Sequence, residues 1–103
     1  MAMLFDQHGV TLKADAHVLT LAGAPDFATA ATLGQAGRTW LHGVKGAVEI
    51  DASGVTTSSS ATITVLLECL RTAQGQACDI SRIALPDVMH ELVALSRLDR
   101  VLP

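Results

Sequence analysis

The sequence is poor in aromatic and basic residues and has no long hydrophobic run. It contains two phenylalanines, one tryptophan and no tyrosine, so it lacks the aromatic stacking platform of proteins that bind single-stranded nucleic acid. Its formal net charge is −3, and its basic residues are scattered singly and form no patch for a phosphate backbone. No segment approaches the ~20 apolar residues of a membrane-spanning helix. These absences argue against nucleic acid as a partner and against direct membrane insertion.

Cysteine and histidine are also sparse, which bears on metal binding and catalysis. Cys69 and Cys78 have no second pair beside them, and we expect both to be reduced residues in or near the core. The four histidines lie far apart, without the H-x-x-x-H or H-E-x-x-H spacing of a metal site. A G-x-S-x-G turn and a glycine-rich phosphate loop are missing as well. The sequence predicts no metal, no cofactor and no catalytic residue, and therefore a protein that is not an enzyme.

One domain accounts for the whole chain. A domain of 103 residues buries roughly two-thirds of the surface of its unfolded chain, which is enough for one core. The first residues lack the basic region and the apolar run of a secretory signal peptide. We expect a single cytoplasmic domain over residues 1–103.

The N-terminal half predicts a hairpin and a helix. Residues 10–14 and 17–22 are short β-like runs that two residues separate, and the pattern favours a hairpin at the edge of a sheet. Pro25 and Asp26 are start signals for a helix that runs to about Leu41, and Gly34 and Gly37 would let it lie close to the sheet. The residues available for its buried side are Phe27, Ala30, Ala31, Leu33, Trp40 and Leu41.

The C-terminal half predicts a βαβ unit and a last helix. Residues 47–51 form a strand, and a helix follows from Ala61 and ends at Gly75 as a left-handed cap. Residues 77–84 form the next strand, and Leu85-Pro86-Asp87 opens the last helix. The predicted core positions are Ile63, Leu66, Leu67 and Leu70 in the first helix, Ile80 and Ile83 in the strand, and Val88, Leu92, Leu95 and Leu98 in the last helix. The fold class is therefore α/β, in the order β-β-α-β-α-β-α: a mixed sheet with an N-terminal antiparallel hairpin, packed by three helices.

The residues Thr56-Thr57-Ser58-Ser59-Ser60, here called the hydroxyl turn, are the unusual feature of the chain. One hydroxyl is enough to cap the N-terminus of the following helix. The others would lie at the carboxyl end of a strand in a βαβ unit, where open α/β sheets usually place binding sites. A phosphate at a helix N-terminus would also be tolerated. The turn can therefore be a cap, a docking surface or a phosphorylation switch.

The hydroxyl turn and its flanks resemble the signature of STAS domains, the anti-sigma factor antagonist family. The residues that carry the resemblance are 48–55, a strand with Asp51, and 59–67, which end in an apolar helical pattern. Leu85-Pro86 and residues 92–98 look like the closing helix of the family, so the resemblance spans nearly the whole chain. It implies a STAS-like fold and a protein-binding role.

Within that family the chain looks most similar to the small STAS subunits of Mla-type phospholipid-transport ABC complexes, the MlaB subunits. The resemblance implies a bacterial, cytoplasmic accessory subunit that binds the transporter's ATPase subunit and lies at the inner membrane through that partner. Ser60 falls where the family has its partner-contacting Thr. The implied partner-binding residues are Ser60, Ser59, Ser58, Thr57, Ala61 and Thr62.

Three departures from the family pattern separate this chain from the phosphorylated antagonists. Ser59 stands at the usual Asp, Thr62 at a usual Gly, and Ala61 where sporulation-type antagonists carry their phosphorylated Ser. The alternative is an anti-sigma factor antagonist that an anti-sigma factor kinase phosphorylates at Ser60. A STAS-like module with an altered turn and a different partner is a third reading.

Overall fold

In the part of the chain that the structure describes, the protein forms a five-stranded sheet with three helices. The computed structural model describes residues 2–76 and 78–95, with the side chain of Leu95 left aside. The elements are β1 (Ala2–Gln7), β2 (Val10–Asp15), β3 (Val18–Gly23), α1 (Phe27–His42), β4 (Gly46–Val55), α2 (Ser60–Gln74), β5 (Cys78–Ala84) and α3 (Asp87–Leu95). The strands lie in the order β1-β2-β3-β4-β5. β1, β2 and β3 pair antiparallel, whereas β3, β4 and β5 pair parallel, which confirms the mixed α/β sheet with its βαβ unit.

The first strand, β1, is absent from the predicted order and takes the edge that was assigned to the hairpin. Its pairing with β2 shifts between Met3 and Phe5, so an irregularity breaks the alternation of side chains that would mark a strand in the sequence. Phe5 pairs with Leu12 and is buried. The predicted hairpin of β2 and β3 therefore lies inside the sheet, and β3 is its central strand.

One face of the sheet carries the core. Alternate residues of β2, β3 and β4 are buried with residues of all three helices, whereas the intervening residues are half-exposed or exposed. The largest fully buried side chains are Leu12, Leu19, Leu21, Leu33, Leu41, Ile50, Leu66, Met89, Val10, Val48, Thr62 and Cys69. The core is aliphatic, as the composition predicts.

Helix α1 begins as predicted, and it buries Leu33 and Leu41 as predicted but leaves Ala31 exposed. The carboxylate of Asp26 accepts a hydrogen bond from the Thr29 backbone amide at 2.9 Å, and the Thr29 hydroxyl accepts one from the Asp26 amide at 3.1 Å. The buried side follows a period of four through Thr29, Leu33, Gly37 and Leu41. Phe27 falls outside that period and is 77% exposed, so its prediction as a core residue is wrong.

Both glycines of α1 face α2, and Gly37 also lies near Leu19 of the sheet. A Cβ atom at Gly37 would lie 3.0 Å from Sγ of Cys69, and one at Gly34 would lie 3.7 Å from Cγ of Glu68. At the surface of the same contact, the Arg38 guanidinium donates to the Glu68 carboxylate at 2.9 Å. We call this contact of Gly34 and Gly37 with Glu68 and Cys69 the helix seam.

Helix α2 buries Ile63 and Leu66 as predicted, and its buried face also includes Thr62 and Cys69. Both cysteines are free and buried, which confirms their prediction as core residues. Burial raises the pKa of the Cys69 thiol to about 12. The helix ends at Gly75 with φ −85°, which is right-handed, so the predicted left-handed cap is wrong. Its N–H instead donates to the Thr72 carbonyl at 3.2 Å.

The last strand buries the two residues predicted for its core, whereas the last helix departs from its predicted pattern. Ile80 and Ile83 of β5 are both buried because the register with β4 shifts between Val48 and Glu49. In α3 the buried residues are Met89 and Val93, whereas Val88 is 50% exposed. The predicted stripe of Val88 and Leu92 is therefore displaced by one position. Apolar side chains lie on several sides of this short helix, so its sequence alone does not select the inner face. Leu98, which was predicted to extend that stripe, lies outside the described residues.

Candidate partner-binding surface

The hydroxyl turn lies between the end of β4 and the start of α2. β4 continues past Asp51 to Val55, because Ala52 and Val55 remain buried and residues 54–55 resume the pairing with β3. Thr56 then joins the turn to the end of β3: its backbone N–H donates to the Gly23 carbonyl at 2.8 Å. Gly23 has φ +99°, and a Cβ atom there would lie 2.0 Å from the Gly9 carbonyl oxygen, so only glycine fits.

The capping role belongs to Ser59. Its backbone is extended, at φ −145° and ψ 132°, and its hydroxyl accepts a hydrogen bond from the Ala61 amide at 3.1 Å. Thr57, Ser58 and Ser60 are exposed. One hydroxyl thus caps α2, and the remaining side chains of the turn are directed to the surface.

The predicted partner-binding residues differ in exposure, and the change from exposed to buried occurs in the first turn of α2. Ser60 is the first residue of the helix and is exposed, whereas Ala61 and Thr62 are completely buried. Their side chains cannot contact a partner in this fold, because α2 turns them toward the core. The Thr62 hydroxyl has no hydrogen-bond partner among the residues that the structure describes. The accessible part of the predicted set is therefore Thr57, Ser58, Ser59 and Ser60.

A groove continues the accessible surface from the hydroxyl turn onto α1. Thr64 lies one helical turn after Ser60, and its hydroxyl donates to the Ser60 carbonyl at 3.0 Å. The groove has a volume of about 370 Å³ between α1 and α2. Its lining residues are Phe27, Ala30, Ala31, Gly34, Arg38, Thr64 and Glu68.

Phe27 is the member of this surface that the sequence pattern misplaces. It is the first residue of α1, directly after the Asp26 cap, and it lines the groove opposite Thr64. A large aromatic side chain so fully exposed beside a groove is typical of an interface anchor. The sequence does contain a signal for the exposure of Phe27: this residue falls outside the four-residue period of the buried residues Thr29 and Leu33.

Charged groups lie at the far end of the groove and on the open face of the sheet. Glu68 contacts both Arg38, at 2.9 Å, and Arg71, at 3.7 Å. On β4, the hydroxyl and the backbone N–H of Ser53 donate to the Asp51 carboxylate at 2.6 and 2.9 Å. These hydrogen bonds lower the pKa of Asp51, and they engage it on its own strand.

The described part of the chain contains neither a candidate metal site nor a membrane-spanning helix. Within residues 2–76 and 78–95, no cluster of three or more His, Cys, Asp or Glu side chains could hold a metal ion. None of the helices in those ranges is both long and apolar enough to cross a membrane.

Comparison with models of known protein families identifies the family of this chain. Residues 8–103 match the family model described as MlaB, STAS domain. The chain belongs to the STAS domain family. STAS domains are protein-interaction modules.

The STAS fold is also shared with a solved structure. An anti-sigma factor antagonist from Mycobacterium paratuberculosis has a similar crystal structure, with a TM-score of 0.69. The two chains are 22% identical, and the match covers 91% of this chain and 81% of the other. A comparison with curated protein sequences gives no significant match.

Proposed function

We propose that this STAS domain is a non-catalytic accessory subunit that binds and supports the ATPase of an Mla-type phospholipid ABC transporter. The observation that carries the proposal is the separation of roles in the turn: Ser59 caps α2, and Thr57, Ser58 and Ser60 have exposed side chains. The matched family, described as MlaB, supports the choice of partner. The domain would act in the cytoplasm, at the inner membrane through the ATPase.

The docking surface combines the exposed part of the hydroxyl turn with the α1–α2 groove. The hydroxyls of Thr57, Ser58 and Ser60 would exchange hydrogen bonds with the partner, and Phe27 would bury its ring against an apolar partner surface. The ion pair of Arg38 and Glu68 lies at the rim, where charges determine orientation more than affinity.

Co-purification with an Mla-type ATPase subunit tests this surface. Ser60→Arg and Phe27→Asp should each weaken the complex, because one adds bulk at the turn and the other removes the apolar anchor. An acidic residue at the first position of α1 is compatible with the helix dipole, so Phe27→Asp should still fold. The matched controls are Gln74→Arg, at the far end of α2, and Ala28→Asp, next to Phe27, since both positions are exposed.

Two outcomes would contradict different parts of the proposal, namely the docking surface and the choice of partner. A complex that all four variants form equally well would contradict the docking surface. Failure of the unchanged domain to bind the ATPase would contradict the partner.

The second candidate is an anti-sigma factor antagonist that a kinase switches off by phosphorylating Ser60. Two observations favour it: the fold of the mycobacterial antagonist and the exposure of the Ser60 hydroxyl at the N-terminus of α2. A phosphate there would lie near free helix amides and would change the charge of the docking surface. Incubation with an anti-sigma factor kinase and ATP should add one phosphate by intact mass, and Ser60→Ala should prevent it. No added phosphate would reject this candidate.

A further inference from the structure

The α1–α2 groove is apolar along α1 and begins at an exposed aromatic residue. Phe27, at the end of the groove beside the hydroxyl turn, is 77% exposed. Asp26 comes directly before it and is also exposed, so this end carries a negative charge. Further along α1 the groove is lined by the small residues Ala30, Ala31 and Gly34. A partner segment in the groove would therefore meet an aromatic ring first and then a floor of small side chains.

The other end of the groove carries a positive charge. Here the Glu68 carboxylate contacts the guanidinium of Arg38 at 2.9 Å and that of Arg71 at 3.7 Å. One carboxylate neutralises only one of the two guanidiniums. The Arg38 side chain is 43% exposed and that of Arg71 is 73% exposed, so both are within reach of a partner. This end attracts an acidic group, although the chain as a whole has a formal net charge of −3.

The two ends of the groove are far enough apart to act on different groups of a partner. Phe27 and Arg38 lie eleven residues apart on α1, which is about 17 Å at ~1.5 Å per residue. That distance exceeds the Debye length of about 8 Å at physiological salt. An acidic partner group is therefore attracted at the Arg38 end, and Asp26 repels it at the other end.

The walls of the groove favour a helix over an extended segment. Both walls are helices, whose backbone groups are hydrogen-bonded within the helix, so an extended segment would find no backbone partners along the groove. The Thr64 hydroxyl is engaged as well, because it donates to the Ser60 carbonyl. A helix satisfies its own backbone groups and needs only side-chain contacts.

We infer that the ATPase lays an amphipathic helix in this groove, with an apolar side chain against Phe27 and an acidic side chain three helical turns away, at Arg38 and Arg71. This inference rests on the proposed function, because it specifies the segment of that partner. Between the two contacts, apolar side chains of the ATPase helix would pack on Ala31 and Gly34. The ATPase segment would then carry apolar residues at i, i+4 and i+7 and an acidic residue at i+11.

Titration of the full-length domain with a purified Mla-type ATPase subunit tests the acidic contact. Arg71→Glu should raise the dissociation constant roughly tenfold at low salt, and the loss should shrink at high salt because the charges are screened. Arg82→Glu is the matched control, since it makes the same change of charge at an exposed position of β5. It should leave the dissociation constant unchanged.

A second pair of variants tests occupation of the groove without a change of charge. Ala31→Trp places a large ring on the exposed floor of the groove and should weaken the complex. Gln35→Trp adds the same ring at an exposed position of α1 that does not line this groove, and it should bind like the unchanged domain. Thermal unfolding should confirm that all four variants are folded.

Photo-crosslinking to the same ATPase subunit tests the helical form of the segment. A benzoylphenylalanine in place of Phe27, and in a second protein in place of Arg71, should label one ATPase segment. Mass spectrometry should locate the two labelled positions about eleven residues apart, as in a helix, whereas an extended segment would place them about five apart.

The results distinguish this inference from the proposed function. A complex that Ser60→Arg weakens, but whose dissociation constant either Arg71→Glu or Ala31→Trp leaves unchanged, would overturn the inference and leave the proposed function standing. Tighter binding of Arg71→Glu would overturn it too, and so would labelled positions on separate segments or about five residues apart. Failure of the unchanged domain to bind the ATPase would contradict the proposed function, and the inference with it.

Discussion

The helix seam and the hydroxyl turn both involve α2, but they differ in residue type and burial. The seam packs glycines of α1 closely against α2, whereas the turn carries mostly exposed hydroxyls at the start of α2. In the seam, Gly37 leaves just enough room for the Cys69 sulfur. More than two helical turns earlier, the first residue of α2, Ser60, is exposed, and Ser59 is bound only to the helix it caps. The buried seam therefore contributes to stability, whereas the proposed binding groups lie where removing a side chain costs the fold little.

The largest expected effect is that of a bulky residue in the helix seam. Gly37→Leu should lower the free energy of unfolding by about 2 to 3 kcal/mol, because a Cβ atom at Gly37 already lies 3.0 Å from Sγ of Cys69. Urea unfolding monitored by circular dichroism measures the change. Cys69→Ala in the same chain should recover part of the loss, because it removes the atom that the new side chain meets.

The control for this change is the other glycine of the seam. A Cβ atom at Gly34 makes only an ordinary contact, 3.7 Å from Cγ of Glu68. Gly34→Ala should therefore stabilise the helix by about 0.5 to 1 kcal/mol. Equal destabilisation by both substitutions would contradict the close packing at Gly37.

The next largest expected effect is a gain in the free energy of unfolding, and it comes from removing a buried hydroxyl. Thr62 is completely buried, and its hydroxyl has no partner among the described residues. Thr62→Val keeps the shape and removes the unpaired group, so it should raise the free energy of unfolding by about 1 to 2 kcal/mol. Thr64→Val provides the comparison, since the Thr64 hydroxyl is exposed and donates to Ser60, and it should give no stabilisation. A loss of stability in Thr62→Val would show that this hydroxyl is satisfied in solution.

The sequence predicts the fold well where a pattern is local and complete. The capping signal at Asp26 and the apolar spacing of Ile63 and Leu66 were sufficient, because each depends on neighbouring residues. Strand β1 was missed because the irregularity near Leu4 interrupts the alternation on which recognition of a strand depends. The left-handed conformation expected of Gly75 depends on how the chain leaves the helix, which its sequence does not determine.

The hydroxyl turn lies between a strand and a helix, as the sequence predicts, but only some residues of the candidate site are accessible. The STAS-like pattern located the turn, yet it could not show that Ala61 and Thr62 face inward, because their orientation depends on how α2 packs on the sheet. Phe27 was assigned to the core because hydrophobicity alone favours burial, and its exposure depends on which face of α1 meets α2. Tertiary packing therefore decides which residues of a recognised motif are available to a partner.

Within the hydroxyl turn, two neighbouring serines should behave differently. Ser59→Ala removes the group that accepts from the Ala61 amide at 3.1 Å and should cost about 1 kcal/mol of stability. Ser60→Ala should change stability by less than about 0.5 kcal/mol, because the side chain is exposed. Thermal unfolding of the two variants side by side measures the difference. A larger loss at Ser60 than at Ser59 would contradict the separation of capping from binding.

The smallest expected effect is a pH dependence on the strand that leads to the turn. Hydrogen bonds from Ser53 lower the pKa of Asp51 in the folded protein. A carboxyl with a lowered folded pKa contributes stability above its unfolded pKa, about 4, and loses that contribution as the pH falls through the folded value. Urea unfolding across this acidic range should therefore show a weaker decline in Ser53→Ala than in the unchanged protein. Ser60→Ala should leave the decline as it is, since Ser60 makes no contact with Asp51. An identical decline in Ser53→Ala and the unchanged protein would show that the pair contributes nothing to folding.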